Sequence, residues 1–440
     1  MPYRFGPFRL DPQSESLWCG DRAVALNRKA VRLLLALVER HGEVVTKEEL
    51  LSTLWPQRGG TINNLTQHVF MLRNALGDTS GKQRYLLTVP GVGYQFVAPL
   101  ERGDADSARR IVARHYCVIA REFHQRRTPA AIERGIEFYE QALSYDDRCA
   151  DALAGLALCR FLLAEYLFET PREMLALAEQ DALRTLEIDR ANAVALVVLA
   201  RATAQLRYHW TEAETLLLDA FRSRPDYLWA HVHLIEHYIV RGRLAQAEQA
   251  LAHARSLGVR DDAFPRLPLL QGAIAYFNGS YDSAQLHLRA LVDERPDYGL
   301  ARFFLAKTLV VQGAFDEGLE HAQLAAAIKV DPLSPGQPDV RRRALALCAH
   351  ARALRGDDEG VRDAVAALDA FTMGLPQSSF CAAIVALAYG RPDRALRAME
   401  NAVVNRESYS SFAAVEPLFE TLRALPGWRT VLRAMNLATS

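Results

Sequence analysis

The feature that most constrains this chain is a recurrence of small residues at a near-constant interval. Gly242, Gly279 and Gly313 are 37 and 34 residues apart, and Ala213, Ala247, Ala284 and Gly318 follow at 34, 37 and 34. Pro225 and Pro296 are 71 apart, about two such periods, and Pro332 lies 36 further on. Self-similarity at a period of about 20–50 residues marks an array of one supersecondary unit. The clearest unit runs from Leu228 to Asp261. Leu234 and Tyr238 belong to its first helix, Arg241-Gly242-Arg243 to a turn, and Ala247, Leu251 and Ala254 to its second helix. The turn glycine permits a tight helical hairpin, and the small residues let helices approach closely. One hairpin cannot bury its own apolar face, so an array is required. We count seven or eight units. Glu137–Asp147 and Ala178–Asp189 close two degenerate ones, the second after a longer loop near Phe168–Met174. Val340–Asp369 and Phe380–Val403 are later units, and Val415–Met435 reads as a closing helix that caps the array.

The 440 residues allow two or three domains with cores of their own. No run of 18 apolar residues occurs, so no membrane span is expected. The opening residues carry no basic flank followed by a long apolar stretch, so no secretion signal is expected either. The six cysteines form no C-x-x-C pair and read as buried free thiols in a reducing cytoplasm. Residues 1–100 hold 12 Lys and Arg against 8 Asp and Glu, and the remainder holds 40 against 44. A weakly basic front domain on a mildly acidic body fits this asymmetry.

The texture changes near residue 100. Before it, strand-like and helical runs mix. Tyr3–Leu10 alternates as a strand does, and Gly20-Asp21 separates two short β-type runs, Ser16–Cys19 and Ala23–Leu26. Arg28–Arg40 is a helix with Val31, Leu34, Leu35 and Val38 on one face, stopped at His41-Gly42. Thr46 and Glu49 form a capping box that opens a second helix, ended by Pro56. A third helix follows, with Leu65, Val69, Leu72 and Leu76 on one face and Asn63, Gln67, Phe70, Met71 and Asn74 on the other. Gly77 is its C-cap. Tyr85–Val89 and Tyr94–Val97 are strands around Pro90–Gly93. Gly91-x-Gly93 lacks the third glycine and following helix of a dinucleotide cradle, so it reads as a hairpin tip. Three helices closed by a hairpin, behind a small sheet, suggest a winged helix–turn–helix.

The stretches VVTKEELLSTLWP, INNLTQHVFMLRNALGD and RYLLTVPGVGYQFVAPL resemble the effector domain of OmpR/PhoB-type regulators, and more closely its version without a receiver, the ToxR, CadC and HilA group. The resemblance covers about residues 3–98. It implies that the third helix lies in the major groove of DNA and the hairpin wing against the adjacent minor groove or backbone. By position, Thr66, Gln67 and Met71 would approach base edges, with Phe70 beside Met71 placed to press on thymine methyl groups. Asn63, His68 and Arg73 would sit near phosphates, as would Thr88 and Tyr94 from the wing. Gln67 has the chemistry to pair with adenine. Phe70, Met71 and Pro90 stand where many relatives carry basic residues, which reduces phosphate attraction. The loop with Gln57, Arg58 and Gly59 occupies the position where response-regulator relatives contact RNA polymerase. No receiver precedes the domain, so control by aspartyl phosphate is not expected. The later array, including the segment GAIAYFNGSYDSAQLHLRALVDERPDY, resembles the tetratricopeptide repeat, whose inner groove implies a peptide or protein partner.

The expected fold is therefore mainly α: a winged helix–turn–helix at 1–100, a linker at 101–107 and an all-α repeat solenoid at 108–440. The expected function is that of a cytoplasmic transcription regulator, more an activator than a repressor. It would bind double-stranded promoter DNA and RNA polymerase, and use the repeats for a protein partner, self-association or signal input. No motif asks for a cofactor. An interaction scaffold whose winged helix no longer binds DNA is the alternative. A third reading rests on His233-x-x-Glu236-His237, which matches a zinc-peptidase pattern. No third ligand stands at a defined spacing, and Leu234 and Tyr238 explain the helix as packing.

Overall fold

The structure is a computed structural model that describes residues 2–55, 60–78, 84–100, 105–258, 264–328 and 340–437. The chain divides into two compact units, Met1–Ile119 with Glu140–Cys149, and Ala120–Tyr139 with Ala150–Ser440.

The first unit opens with a four-stranded antiparallel sheet of β1 (Tyr3–Phe5), β2 (Phe8–Asp11), β3 (Ser16–Cys19) and β4 (Arg22–Ala23), in that order. Tyr3–Leu10, expected as one strand, is a hairpin: Gly6 takes φ +51 and Phe5 pairs with Phe8. Helix α1 (Arg28–Glu39) follows, capped by the Asn27 side chain, which accepts from the Ala30 N–H. The short strand β5 (Val44–Thr46) leads into α2 (Lys47–Leu54), where the Thr46–Glu49 capping box is present. Helix α3 (Ile62–Leu76) starts from a second, asparagine-based box, Thr61 with Asn64, and ends on Gly77 in the left-handed region. Strands β6 (Leu86–Val89) and β7 (Gly93–Phe96) complete a sheet of order β5-β7-β6. The core joins Phe5, Leu33, Leu34, Leu37, Leu50, Leu65, Leu72 and Phe96, all fully buried.

The wing's two glycines have different reasons. Val92 N–H donates to the Val89 carbonyl, with Pro90 and then Gly91 at φ +78 between them. Proline followed by a positive-φ glycine is the signature of a type II turn. Gly93 needs no positive φ. The Val45 carbonyl oxygen of β5 occupies the place where its Cβ would stand. Strand β5 was not expected from the sequence, and it is the reason that a second glycine sits there.

The described residues that follow are mostly helical: α4 (Ala105–His124), α5 (Pro129–Tyr145), α6 (Ala150–Glu165), α7 (Pro171–Ile188), α8 (Ala193–Arg207), α9 (Trp210–Ser223), α10 (Leu228–Val240) and α11 (Leu244–Ser256). It continues with α12 (Arg266–Phe277), α13 (Tyr281–Glu294), α14 (Gly299–Val311), α15 (Phe315–Ala327), α16 (Val340–Leu354), α17 (Asp358–Thr372), α18 (Ser379–Ala388) and α19 (Pro392–Val404). Helix α4 begins inside the segment expected as a linker. Consecutive helices pair as hairpins, and the turn inside each has one residue in the left-handed region. In the last five hairpins it is glycine: Gly242, Gly279, Gly313, Gly356 and Gly390. In the first three it is Arg127, Leu167 and Tyr208, at φ +56, +54 and +55.

That backbone requirement can be tested directly. Nothing lies within 4 Å of a Cβ built on Gly279, whose φ is +75. Gly279→Ala is therefore expected to cost about 1–2 kcal/mol through the backbone alone. Urea denaturation of the full chain would measure it. An unchanged midpoint would contradict the strain.

The closing segment does more than cap α19. It forms two 3-10 turns, Ser408–Ala414 and Pro417–Phe419, then α20 (Glu420–Arg423) and α21 (Trp428–Ala434). Ser408 meets Arg201 and Gln205 of α8, and Glu416 meets Tyr276 of α12 and Lys307 of α14. The Trp210 indole N–H donates to the Met435 carbonyl. The segment thus runs along the first helices of successive hairpins. Helices α8, α10, α12 and α14 are buried nearly all round, as a helix apolar on every side must be. Their second covered face is in part this segment. Five cysteines are buried as expected; Cys19, at the end of β3, is exposed.

Candidate nucleic-acid interface

Helix α3 is anchored by Leu65, Val69, Leu72 and Leu76, none more than 4 % exposed. Its other face presents Asn63, Thr66, Gln67, Phe70 and Asn74 to solvent. Phe70 is 63 % exposed, a large apolar side chain with no cover of its own. Exposed amides beside an apolar ring make a surface that can both hydrogen-bond base edges and touch a thymine methyl.

The other expected contact residues divide in two. Met71 and His68 are half-buried at the flanks of α3. The Met71 sulfur lies 3.9 Å from the Asn27 amide nitrogen. His68 bonds the Asn64 carbonyl through Nδ1 at 2.7 Å, and its ring meets Trp55 edge-on at 5.5 Å. Arg73, Thr88 and Tyr94 serve the fold. Arg73 Nη2 donates to the Leu86 carbonyl and the Thr88 hydroxyl, at 3.1 and 2.7 Å, and so ties α3 to the wing. Tyr94 is only 5 % exposed, within the core, which leaves little of its ring to meet a ligand. Gln57, Arg58 and Gly59 lie outside the described residues.

Asp78 explains the Gly-Asp that ends the α3 motif. It is 3 % exposed and accepts from the backbone N–H groups of Arg84, Tyr85 and Leu86. Its carboxylate thereby sets the start of the wing against the end of α3.

Sequence reasoning missed the basic start of α1. Arg28 and Lys29 stand in its first turn, and no acidic residue does. Cations there oppose the helix dipole, so the sequence itself carried the anomaly. The Lys29 ammonium lies 4.8 Å from the Trp55 ring centroid, and Trp55 in turn packs on His68 of α3. Arg28 and Arg32 both meet the Glu15 carboxylate, at 2.6 and 2.8 Å. The guanidinium partners hold that carboxyl below its usual range. A cation is thus placed beside α3 by a route other than α3's own sequence.

The residues of the zinc-peptidase-like pattern are engaged in internal contacts. His233 Nδ1 is 3.3 Å from Glu236, and Arg266 closes on the same carboxylate. His237 turns instead toward Glu214 and Trp210. Among the described residues no group of three or more His, Cys, Asp or Glu could hold a metal ion.

Three helices, the third with one buried and one exposed face, and a hairpin wing define a winged-helix DNA-binding domain, here followed by tetratricopeptide-like helical hairpins. Residues 21–96 match the family described as transcriptional regulatory protein, C terminal, and the domain is of the OmpR/PhoB type. The cholera toxin homolog transcriptional activator of Vibrio parahaemolyticus is 37% identical over 100 residues, which are 22% of this chain and 34% of that protein. The transcriptional regulator HilA of Salmonella typhimurium is 32% identical over 85 residues, 19% of this chain and 15% of that protein. The chain thus spans about a third or less of the length of these two relatives. A tetratricopeptide repeat protein from Parabacteroides merdae aligns with 63% of this chain and 99% of its own, at 12% identity and a TM-score of 0.45. Among the described residues no helix is long and apolar enough to cross a membrane.

Proposed function

We propose that the protein is a cytoplasmic transcription regulator that binds double-stranded promoter DNA through α3 and its wing. Residues 1–100 form the DNA-binding domain, 101–107 the link and 108–440 the repeat domain. The observation that carries this reading is the α3 surface: exposed Asn63, Thr66, Gln67 and Phe70 on a helix fixed by four buried residues. Activation through RNA polymerase, by way of the loop with Gln57, Arg58 and Gly59, follows from the resemblance to OmpR/PhoB-type regulators. The repeats serve as the input: a protein partner, a second copy of the chain or a signal.

Gel-shift of the full chain on promoter fragments, at low and raised salt, tests the reading. Gln67→Ala is expected to lose about 1–3 kcal/mol of base discrimination at one position. Lys29→Ala is expected to weaken all sequences alike and to reduce the salt slope by about one charge. Arg73 is a poor probe, because its loss also frees the wing. No retardation at low salt would remove the reading. It would favour the second one, in which exposed Phe70 is a protein contact and the winged helix no longer binds DNA.

A further inference from the structure

The second unit contains a cavity of about 790 Å³ on the inner side of its helical hairpins. Its size suits a small organic ligand. The beginnings of α8, α10, α12 and α14 all reach it, through Asn192, Tyr227, Pro265 and Tyr298. Each contributes the positive end of a helix dipole. The carboxylates deepest in the wall are already engaged. Glu165 is held by Arg201 and Glu236 by Arg266. Burial pushes both carboxyls up, but these guanidiniums outweigh it and keep them below the usual range. Two further carboxylates, Asp151 and Asp189, also line the cavity; Asp189 is occupied in capping the Ala191 N–H.

Arg127 is different. It lines the cavity and is 8 % exposed, yet no carboxylate pairs with it among the described residues. Nη1 reaches only the Tyr166 hydroxyl, at 3.2 Å, and Nε has no hydrogen-bond partner. The guanidinium lies 5.3 Å from the Trp229 ring centroid. Its backbone is in the left-handed region, at the position where five later hairpins place glycine. A buried charge without a counter-ion is costly, and so is a left-handed arginine. Cost of this kind gathers at functional sites, where a ligand offsets it.

We propose that this cavity binds a small organic carboxylate, with Arg127 on the carboxylate and Trp229 against its apolar body. The inference rests on the reading of the repeats as a signal input and names the signal's chemistry. A guanidinium offers paired N–H donors, the geometry that carboxylates match.

Phenylacetate and indole-3-acetate, with phenylacetamide and indole-3-acetamide as neutral counterparts, are the probes. Calorimetry and thermal unfolding of the full chain are the readouts. The acids are expected to bind at least tenfold tighter than their amides and to raise the unfolding midpoint. Arg127→Met should abolish that rise and, by removing an uncompensated charge, leave the unliganded chain at least as stable as before. Arg127→Lys keeps the charge and should retain part of the binding. Equal binding of acids and amides, no binding of either acid at millimolar concentration, or an undiminished response in Arg127→Met would each overturn the proposal. DNA retention by the same samples separates the two readings. Loss of DNA binding with acid binding intact removes the regulator and leaves the site; the reverse removes the site and leaves the regulator.

Discussion

Glu416→Ala is expected to destabilise the repeat unit by about 3–5 kcal/mol, because it leaves a buried ammonium without its counter-ion. Lys307 and Glu416 are 4 % and 2 % exposed and meet at 2.6 Å. The Lys307 ammonium also stands 4.4 Å from the ring centroid of Tyr276 and 5.0 Å from that of Phe304. The Tyr276 hydroxyl donates to the other Glu416 oxygen at 2.6 Å. Burial pulls the lysine below its usual range, and Glu416 works against that pull. The carboxylate is thus the group that lets the closing segment fasten to α12 and α14. The double variant Lys307→Met with Glu416→Leu removes both charges and is expected to recover most of the loss. Urea denaturation at neutral pH measures both variants. A Glu416→Ala cost below 1 kcal/mol would show that the segment is not held by this pair.

Acid is expected to unfold the repeat unit well before it protonates the last carboxylates. Burial, with Arg127 and Arg121 adding to it, pushes His124 down to about 3. Burial likewise pushes His237 and His350 to about 4 each. All three start from 6.5 in the unfolded chain. Below that pH the unfolded state takes up protons that the folded state refuses. Stability from these groups is complete above about 6.5 and is lost as the pH falls toward 4. Each histidine contributes a slope of up to about 1.4 kcal/mol per pH unit, so the three together approach about 4. Against a total stability of about 5–15 kcal/mol, two pH units are decisive. Circular dichroism from pH 7 to 4 would follow it. His124→Phe is expected to flatten the slope by about a third; an unchanged slope would mean that this histidine titrates normally.

The elements most legible in the sequence were those fixed by local chemistry. Thr46 and Glu49 are three residues apart, so their capping box could be read without a fold. Gly242, Gly279 and Gly313 carried the hairpin period because a tight turn needs a positive φ. The same turn was invisible at Arg127 and Tyr208, where distant partners help to hold the conformation. The Tyr208 hydroxyl donates to the Val403 carbonyl, and the Tyr208 carbonyl accepts from Asn436. Nothing near residue 208 announces contacts made some 200 residues away. The exposed face of α3 was legible from periodicity alone. The employment of Arg73 was not, because Leu86 and Thr88 are its neighbours only once the wing has folded back. Gly93 is similar: its lack of a side chain answers to Val45, across the sheet.

Methylation interference on a DNA fragment retained by the full chain tests whether α3 reads the major groove. Guanine N7 lies in the major groove, where α3 is proposed to sit. With α3 in the groove, N7 methylation at a few clustered guanines is expected to prevent retention, and Gln67→Ala to change the pattern within that cluster. Retention that is indifferent to N7 methylation throughout the fragment, in the original chain and in Gln67→Ala alike, would contradict it.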